Sequence, residues 1–261
     1  MHTEQRFLDD KGRLRQWPSR RSDKLLAVAY LATKFDFKAS YTESEVNELL
    51  KQWHTFNDWP LLRRELYEQG FLDRNTDGSN YRIKRLQTSM PDLSLTNPNI
   101  KSDPAISVEW LAGEPGKETL RLMGSTETNN KPSTLKAEEQ RIREFITSTN
   151  QRTWNLHYRT KTVGATWIDL ESSKYLKSPS IHIMIGDPNV RGKGLAQATL
   201  QAVIELLEKE GEYQHLHSRH LVENTASAKL LARVGFANDG DEYTDADGLV
   251  FQNVKRSLRH Q

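Results

Sequence analysis

The run Ile181–Gly211, "IHIMIGDPNVRGKGLAQATLQAVIELLEKEG", narrows the possible folds more than any other part of the chain. Its first residues are apolar and close on Gly186 and Pro188, which reads as a strand whose pairing stops there. A turn with Gly192 and Gly194 follows. Ala196, Leu200, Val203, Ile204 and Leu207 then recur at helical spacing. A strand that feeds directly into a helix with one apolar face must bury that face on its own sheet. Neighbouring runs fit the same sheet. "RTWNLHYRT", "KTVGATWIDLE" and "HLHSRHLV" read as strands, "ENTASAKLLARVGF" as a helix, and "LVFQNVKR" as the end of a closing hairpin. The expected fold class is therefore α/β, a mixed sheet occupying residues 105–261.

The turn itself suggests a ligand. Gly192 and Gly194 permit backbone angles and close approaches that a side chain would block. The first turn of the following helix leaves N–H groups without intrahelical partners, and the helix dipole adds positive potential. Arg191 and Lys193 supply full charges. A diphosphate suits such a turn. The spacing is neither that of a dinucleotide-binding fingerprint nor that of a GxxxxGK[ST] loop.

Composition limits the alternatives. With 36% hydrophobic and 28% charged residues, the chain has the make-up of a folded protein. No apolar run approaches the roughly 20 residues of a membrane span. The start, "MHTEQRFLDDKG", carries no signal-like pattern, and the absence of cysteine suits a reducing cytoplasm. Lack of cysteine also removes thiolate ligands and a cysteine nucleophile, and the eight histidines show no metal-ligand spacing. A net charge of +2 argues against wholesale nucleic-acid binding, although the first 90 residues are mildly basic.

Upstream of the sheet, "AISVEWLA" reads as a strand and "GSTETNNKPST" as a polar loop. "STLKAEEQRIREFITST" reads as a helix that turns Leu135, Ile142, Phe145 and Ile146 inward. Residues 86–104, rich in Pro, Ser, Asn and Thr, read as a linker. Before them, three helical segments precede a hairpin at Asp77-Gly78. The first has Leu25, Leu26, Ala29 and Ala32 on one face. The second opens with a Thr42/Glu45 capping box, and the third has Asp58 as N-cap and Gly70 as its stop. Residues 1–85 are expected to form a small winged-helix-like α+β domain.

Two motifs in order, Arg191-x-x-Gly194-x-Ala196 and "ENTASAKLLARVGF", resemble the GNAT family of N-acetyltransferases, in the branch that acts on ribosomal-protein and other protein N-termini. The resemblance implies acetyl-CoA as co-substrate, held between two strands that splay apart, with no metal. It assigns Ile185 and Gly186 to the pantetheine arm, and Arg191, Gly192, Lys193, Gly194, Leu195 and Ala196 to the pyrophosphate. Asn224 and Ser227 would approach the pantetheine and thioester, although Asn224 is equally explained as a helix cap. Residues 6–83 resemble a small bacterial domain of unassigned function that is also found in transcriptional regulators.

Without cysteine, the expected chemistry is direct attack of a primary amine on the thioester. A general base takes the amine's proton, and a backbone N–H near Ile185 polarises the carbonyl. His217 is the first candidate for the base, with His182 and Glu171 as competitors, since an imidazole titrates in the useful range. Leu231 stands where family members commonly have a tyrosine that protonates the leaving thiolate, so either another group such as Tyr243 does so or the thiolate leaves unprotonated. The acceptor, a protein N-terminus or a small molecule, would be chosen by loops near 116–133 and 237–248. The alternative function is a regulator, with a DNA-binding winged helix using Arg63, Arg64, Arg74, Arg82, Lys84 and Arg85, and an acyl-CoA-sensing second domain. In a third reading, the N-terminal module targets the enzyme to a protein partner.

Overall fold

The computed structural model describes residues 4–126 and 133–259. Two compact units emerge: Met1–Arg85 with Thr96–Pro104 and Glu139–Thr147, and Leu86–Leu95 with Ala105–Glu138 and Ser148–Gln261. Met1–Thr3, at the start of the segment read for a leader, and residues 127–132 of the polar loop lie outside the described residues.

The first unit opens with helices α1 (Arg21–Ala32), α2 (Glu43–Gln52) and α3 (Trp59–Glu68). Seven consecutive residues of α1, Leu25–Leu31, are buried, so this helix is enclosed on more sides than a single apolar face predicts, while Ala32 is only half-buried. The capping box on α2 is formed: the Glu45 N–H donates to Thr42 Oγ1 at 3.3 Å and the Thr42 N–H to Glu45 Oε2 at 2.7 Å. Asp58 caps α3 by accepting from the Leu61 N–H at 3.2 Å, and Gly70 takes φ 73° just beyond its end. Strands β1 (Leu72–Arg74) and β2 (Tyr81–Ile83) make the expected antiparallel hairpin, with Gly78 at φ 73° in its turn. Trp53 and Trp59 pack against the unit's core.

The second unit opens with β3 (Leu86–Gln87) and β4 (Leu93–Thr96), an antiparallel pair inside the stretch expected as a linker. Leu93 and Leu95 are buried in the unit's main core, and those contacts outweigh the loop-like composition around them. Next comes α4 (Asp103–Trp110), where "AISVEWLA" was expected to be a strand. Asp103, Pro104, Ser107 and Leu111 are the buried positions, a helical spacing, although Ile106, Val108 and Trp110 alternate with polar residues as in a strand. Asp103 at the first turn and Pro104 beside it favour the helix. A further helix, α5 (Gly113–Leu122), occupies a stretch with no clear pattern. Helix α6 (Leu135–Thr147) belongs to the first unit from Glu139 on; its Ile142 is buried as expected, whereas Leu135, in the first turn, is 52% exposed.

The sheet continues with β5 (Gln151–Tyr158), β6 (Lys161–Asp169) and β7 (Ser180–Ile185). Then come α7 (Leu195–Glu210), β8 (His215–Leu221), α8 (Thr225–Arg233), β9 (Ala237–Asn238), β10 (Tyr243–Thr244) and β11 (Val250–Ser257). The strand order is β10-β11-β8-β7-β6-β5-β4-β3, with β9 also on β11. Pairing is antiparallel throughout β5–β6–β7 and β8–β11, and parallel between β7 and β8, across the α7 crossover. On α7, Leu200, Val203, Ile204 and Leu207 are fully or almost fully buried. Each contributes roughly 1.5–3 kcal/mol of burial, which holds the start of the helix firmly over the sheet.

Candidate active site

Strands β7 and β8 pair at one register position among the described residues, Ser180 opposite His217. One residue further on, Ser218 Oγ donates to the Ile181 C=O at 2.8 Å, and beyond that the strands part. The gap is part of a cavity of about 710 Å³. Its mouth is the α7 N-terminus, with Arg191, Gly192, Gly194, Leu195 and Ala196 on the wall. One side carries Asn224 and Ser227 of α8. Thr119, Leu122 and Met123 close over it, and Trp167, Asp169 and His182 line the sheet face away from α7.

The backbone around the gap follows from register. The Gly186 N–H donates to the Val163 C=O at 2.9 Å, and the Asp187 N–H shares that oxygen at 3.1 Å. This bond makes Gly164–Ile185 a pair whose own N–H and C=O groups point away from each other. By alternation, the polar groups of Ile183 and Ile185 face the gap. Gly186 has a different duty. A Cβ there would fall 2.1 Å from the Trp110 ring, so only glycine lets that indole lie against the strand end.

At the mouth, Gly194 is the N-cap of α7 in the left-handed region (φ 83°), with no side-chain cap. The first helical bond runs from Ala198 to Gly194 at 3.1 Å, so the N–H groups of Leu195, Ala196 and Gln197 precede the helix's own ladder. A diphosphate suits this cup, which also carries the positive end of the 16-residue helix α7. Arg191 reaches inward. Its Nε donates to the Ile185 C=O at 3.2 Å and its Nη2 to Thr119 Oγ1 at 2.7 Å. Lys193 is exposed and does not line the cavity.

Asn224 performs the cap role. Its Oδ1 accepts from the Ser227 N–H at 3.0 Å, while its Nδ2 donates to the Leu122 C=O at 3.3 Å. Arg121 and Glu223 are ion-paired beside it, so the end of α5 is fastened to the start of α8.

The titratable groups divide between two places. His182 lines the cavity, stacked on Trp167 with centroids 5.3 Å apart, and its Nε2 lies 3.1 Å from Asp169 Oδ2. Burial pushes the Asp169 carboxyl up, but hydrogen bonds from His182 and Gln151 outweigh it and hold the group below the usual carboxylate range. His217 lines a separate pocket beside Asp239. Glu171 sits past the end of β6, accepting from Asn150 Nδ2 at 2.6 Å, and lines neither cavity. Leu231 is buried and lines the cavity, whereas Tyr243, whose hydroxyl accepts from Arg219 Nη1 at 3.1 Å, does not. Trp110, Thr119, Trp167 and Asp169 escaped the sequence reading. Asp169 meets His182 only through the β6–β7 register, and a ten-residue connection hides that register.

In the first unit, the arginines expected to face phosphates are engaged nearby. Arg63 pairs with Glu43 at 2.8 Å, Arg82 with Asp73 at 3.4 Å, and Arg64 approaches Glu68 at 3.9 Å. Arg74 lies over the Tyr67 ring, and Arg85 over Phe37.

Comparison with known proteins agrees with this geometry. Residues 93–237, more than half of the chain, match the acetyltransferase (GNAT) domain. Residues 13–83 match a family described as an uncharacterized protein conserved in bacteria, DUF2087. No curated protein matches the chain. Among solved structures, RimL, a ribosomal L7/L12 alpha-N-protein acetyltransferase in complex with coenzyme A, is 16% identical with a TM-score of 0.57, over 68% of this chain and all of that one. The microcin C7 self-immunity acetyltransferase MccE, in complex with acetyl-CoA and AMP, is 15% identical (TM-score 0.54) over 65% of this chain and 94% of that one. RimJ of Mycobacterium smegmatis, in complex with CoA-disulfide, is 18% identical (TM-score 0.52) over 63% of this chain and 81% of that one. Among the described residues no helix is long and apolar enough to cross a membrane.

Proposed function

The chain belongs to the GNAT acetyltransferase family, and from that premise we propose that it transfers an acetyl group from acetyl-CoA to a primary amine, with a protein N-terminus as the favoured acceptor. The observation that carries the reading is the gap between β7 and β8, which runs from the uncapped start of α7 to the His182–Asp169 pair. In this reading the N–H groups of α7's first turn and Arg191 hold the pyrophosphate, and the gap-facing polar groups of Ile183 and Ile185 hold the pantetheine arm. Acetyl-CoA supplies the activated acyl group.

His182 is assigned as the general base in place of His217, because it lines the cavity and Asp169 fixes its ring. The Ile185 N–H faces the gap, where the carbonyl oxygen gains charge during attack. Arg191 must release the Ile185 carbonyl for the arm to bond there. Leu231 lines the cavity but carries no proton, and Tyr243 does not line it, so the sulfur leaves as the thiolate. Asn224 holds α5 to α8 and so shapes the cavity's closing wall.

We read residues 1–85 as a winged-helix-like module and 105–261 as the catalytic one, with 86–104 contributing β3 and β4 to the latter's sheet. The engaged arginines of the first unit favour a protein-binding role for it over a DNA-binding one. The cytoplasmic setting expected from composition belongs to this same reading. The test is CoA release with a panel of peptide N-termini and small amines. Turnover with at least one acceptor is expected. Micromolar acetyl-CoA binding with no turnover on any of them would leave an acyl-CoA sensor in its place, and a low-salt duplex-DNA titration would then become decisive.

A further inference from the structure

His217 does not reach the cavity between the strands, yet it is 7% exposed and lines a second pocket of about 370 Å³. Lys174, Lys177, Asp239 and Asn253 share that pocket. Asp239 is its single carboxylate, and Lys255 already engages it at 3.2 Å. Lys177 is exposed at the rim, with no ion pair among the described residues. Asn253 donates its Nδ2 to the Tyr175 C=O at 2.8 Å, while its Oδ1, buried from solvent, has no hydrogen-bond partner. A buried acceptor of this kind calls for a donor that a ligand can bring.

The two cavities are neighbours. Ser180 pairs with His217, and Asn253 pairs with Arg219, which lines the first cavity. Phe251, two residues from Asn253 on the same face of β11, also lines it. One strand spacing and two residues of rise separate His182 from His217, a diagonal of roughly 8 Å. Two extended peptide residues span about 7 Å. A peptide whose amine sits by His182 is therefore long enough for its third residue to reach the second pocket.

We propose that this second pocket is an acceptor subsite that selects peptide N-termini with an acidic residue at the third position, Lys177 meeting the carboxylate and Asn253 Oδ1 a peptide N–H. The inference rests on the acetyltransferase reading and names its substrate class. The peptides Ser-Ala-Glu, Ser-Ala-Gln and Ser-Ala-Lys, each amidated at its C-terminus, provide the test. The expected kcat/KM for the Glu peptide exceeds that for the Gln peptide by about tenfold. Lys177→Gln abolishes the preference and Lys177→Glu reverses it towards the Lys peptide, both without altering acetyl-CoA affinity. Asn253→Leu raises KM for all three peptides.

Calorimetry of the peptides against the CoA-saturated full chain separates this idea from its premise. Selective binding of the Glu peptide that is lost in Lys177→Gln, but without turnover, retains the subsite and removes the enzyme. Turnover with equal kcat/KM for the three peptides retains the enzyme and overturns the subsite. Neither binding nor turnover overturns both.

Discussion

At Ala196 two effects of one charge point in opposite directions. The residue lines the cavity within the first turn of α7, where an acidic side chain favours the helix by about 0.3–1 kcal/mol. A carboxylate there would also face the diphosphate of the proposed acetyl-CoA, and repulsion between partly solvated charges a few ångströms apart amounts to roughly 1–4 kcal/mol. Ala196→Asp is therefore expected to keep or raise Tm while weakening CoA binding by roughly tenfold or more, read by calorimetry. A variant that loses Tm and affinity together argues for a packing role instead. His182→Gln should lower kcat by about 100-fold and leave CoA affinity in place, since the imidazole is assigned to proton transfer. Unchanged kcat returns the base to the list of open assignments. His217 yields a pH prediction of another kind. Burial lowers its pKa from 6.5, the Asp239 charge opposes this, and Lys177, Lys255 and His215 add to the lowering. The unfolded chain then takes up the proton first, so the stability this group contributes is present above about pH 6.5 and is lost as pH falls below it. His217→Asn should flatten that part of the Tm-against-pH curve.

At the scale of elements, the contact between α5 and α8 governs the cavity's closing wall. Asn224 serves both helices with different atoms, Oδ1 for the cap and Nδ2 for the Leu122 carbonyl. Asn224→Asp keeps the acceptor and removes the donor, so Tm should stay within about 0.5 kcal/mol of stability while amide exchange at the end of α5 quickens. Asn224→Ala removes both, and a loss of about 1 kcal/mol is expected. Exchange at α5 that is identical in the Asp variant and the parent would mean that Nδ2 contributes nothing to the wall. The helices around this contact were unevenly legible. α8 declares itself by periodicity and cap, and α7 by periodicity. α4 and α5 do not, because α4 is short enough to mimic alternation, and α5 is rich in Gly, Pro and charge.

For the whole molecule, the β3–β4 pair belongs to the large sheet although its sequence resembles a tether. A chain shortened to 105–261 loses β3 and β4, and with them Leu93 and Leu95, which are 2% and 0% exposed. Removing a buried leucine costs about 2–5 kcal/mol, against a total stability of roughly 5–15. The shortened chain should be insoluble or lack a cooperative melting transition. A sharp melt with retained CoA binding would show that β3 and β4 are dispensable.

The sequence by itself determined the two helix caps of the first unit, the β1–β2 hairpin, the β7–turn–α7 unit and the free N–H groups at its head. Each depends on neighbours within one or two turns of chain, and local sterics and hydrogen bonding act over that range. Tertiary structure alone decided that His182 meets Asp169 while His217 faces another pocket, that Trp110 lies on Gly186, and that Leu93 and Leu95 join the core. Those outcomes depend on strand register and on which face of the sheet a residue takes. Both are fixed by packing between segments distant in the chain, where a shift of one residue sends every side chain of a strand to the opposite face.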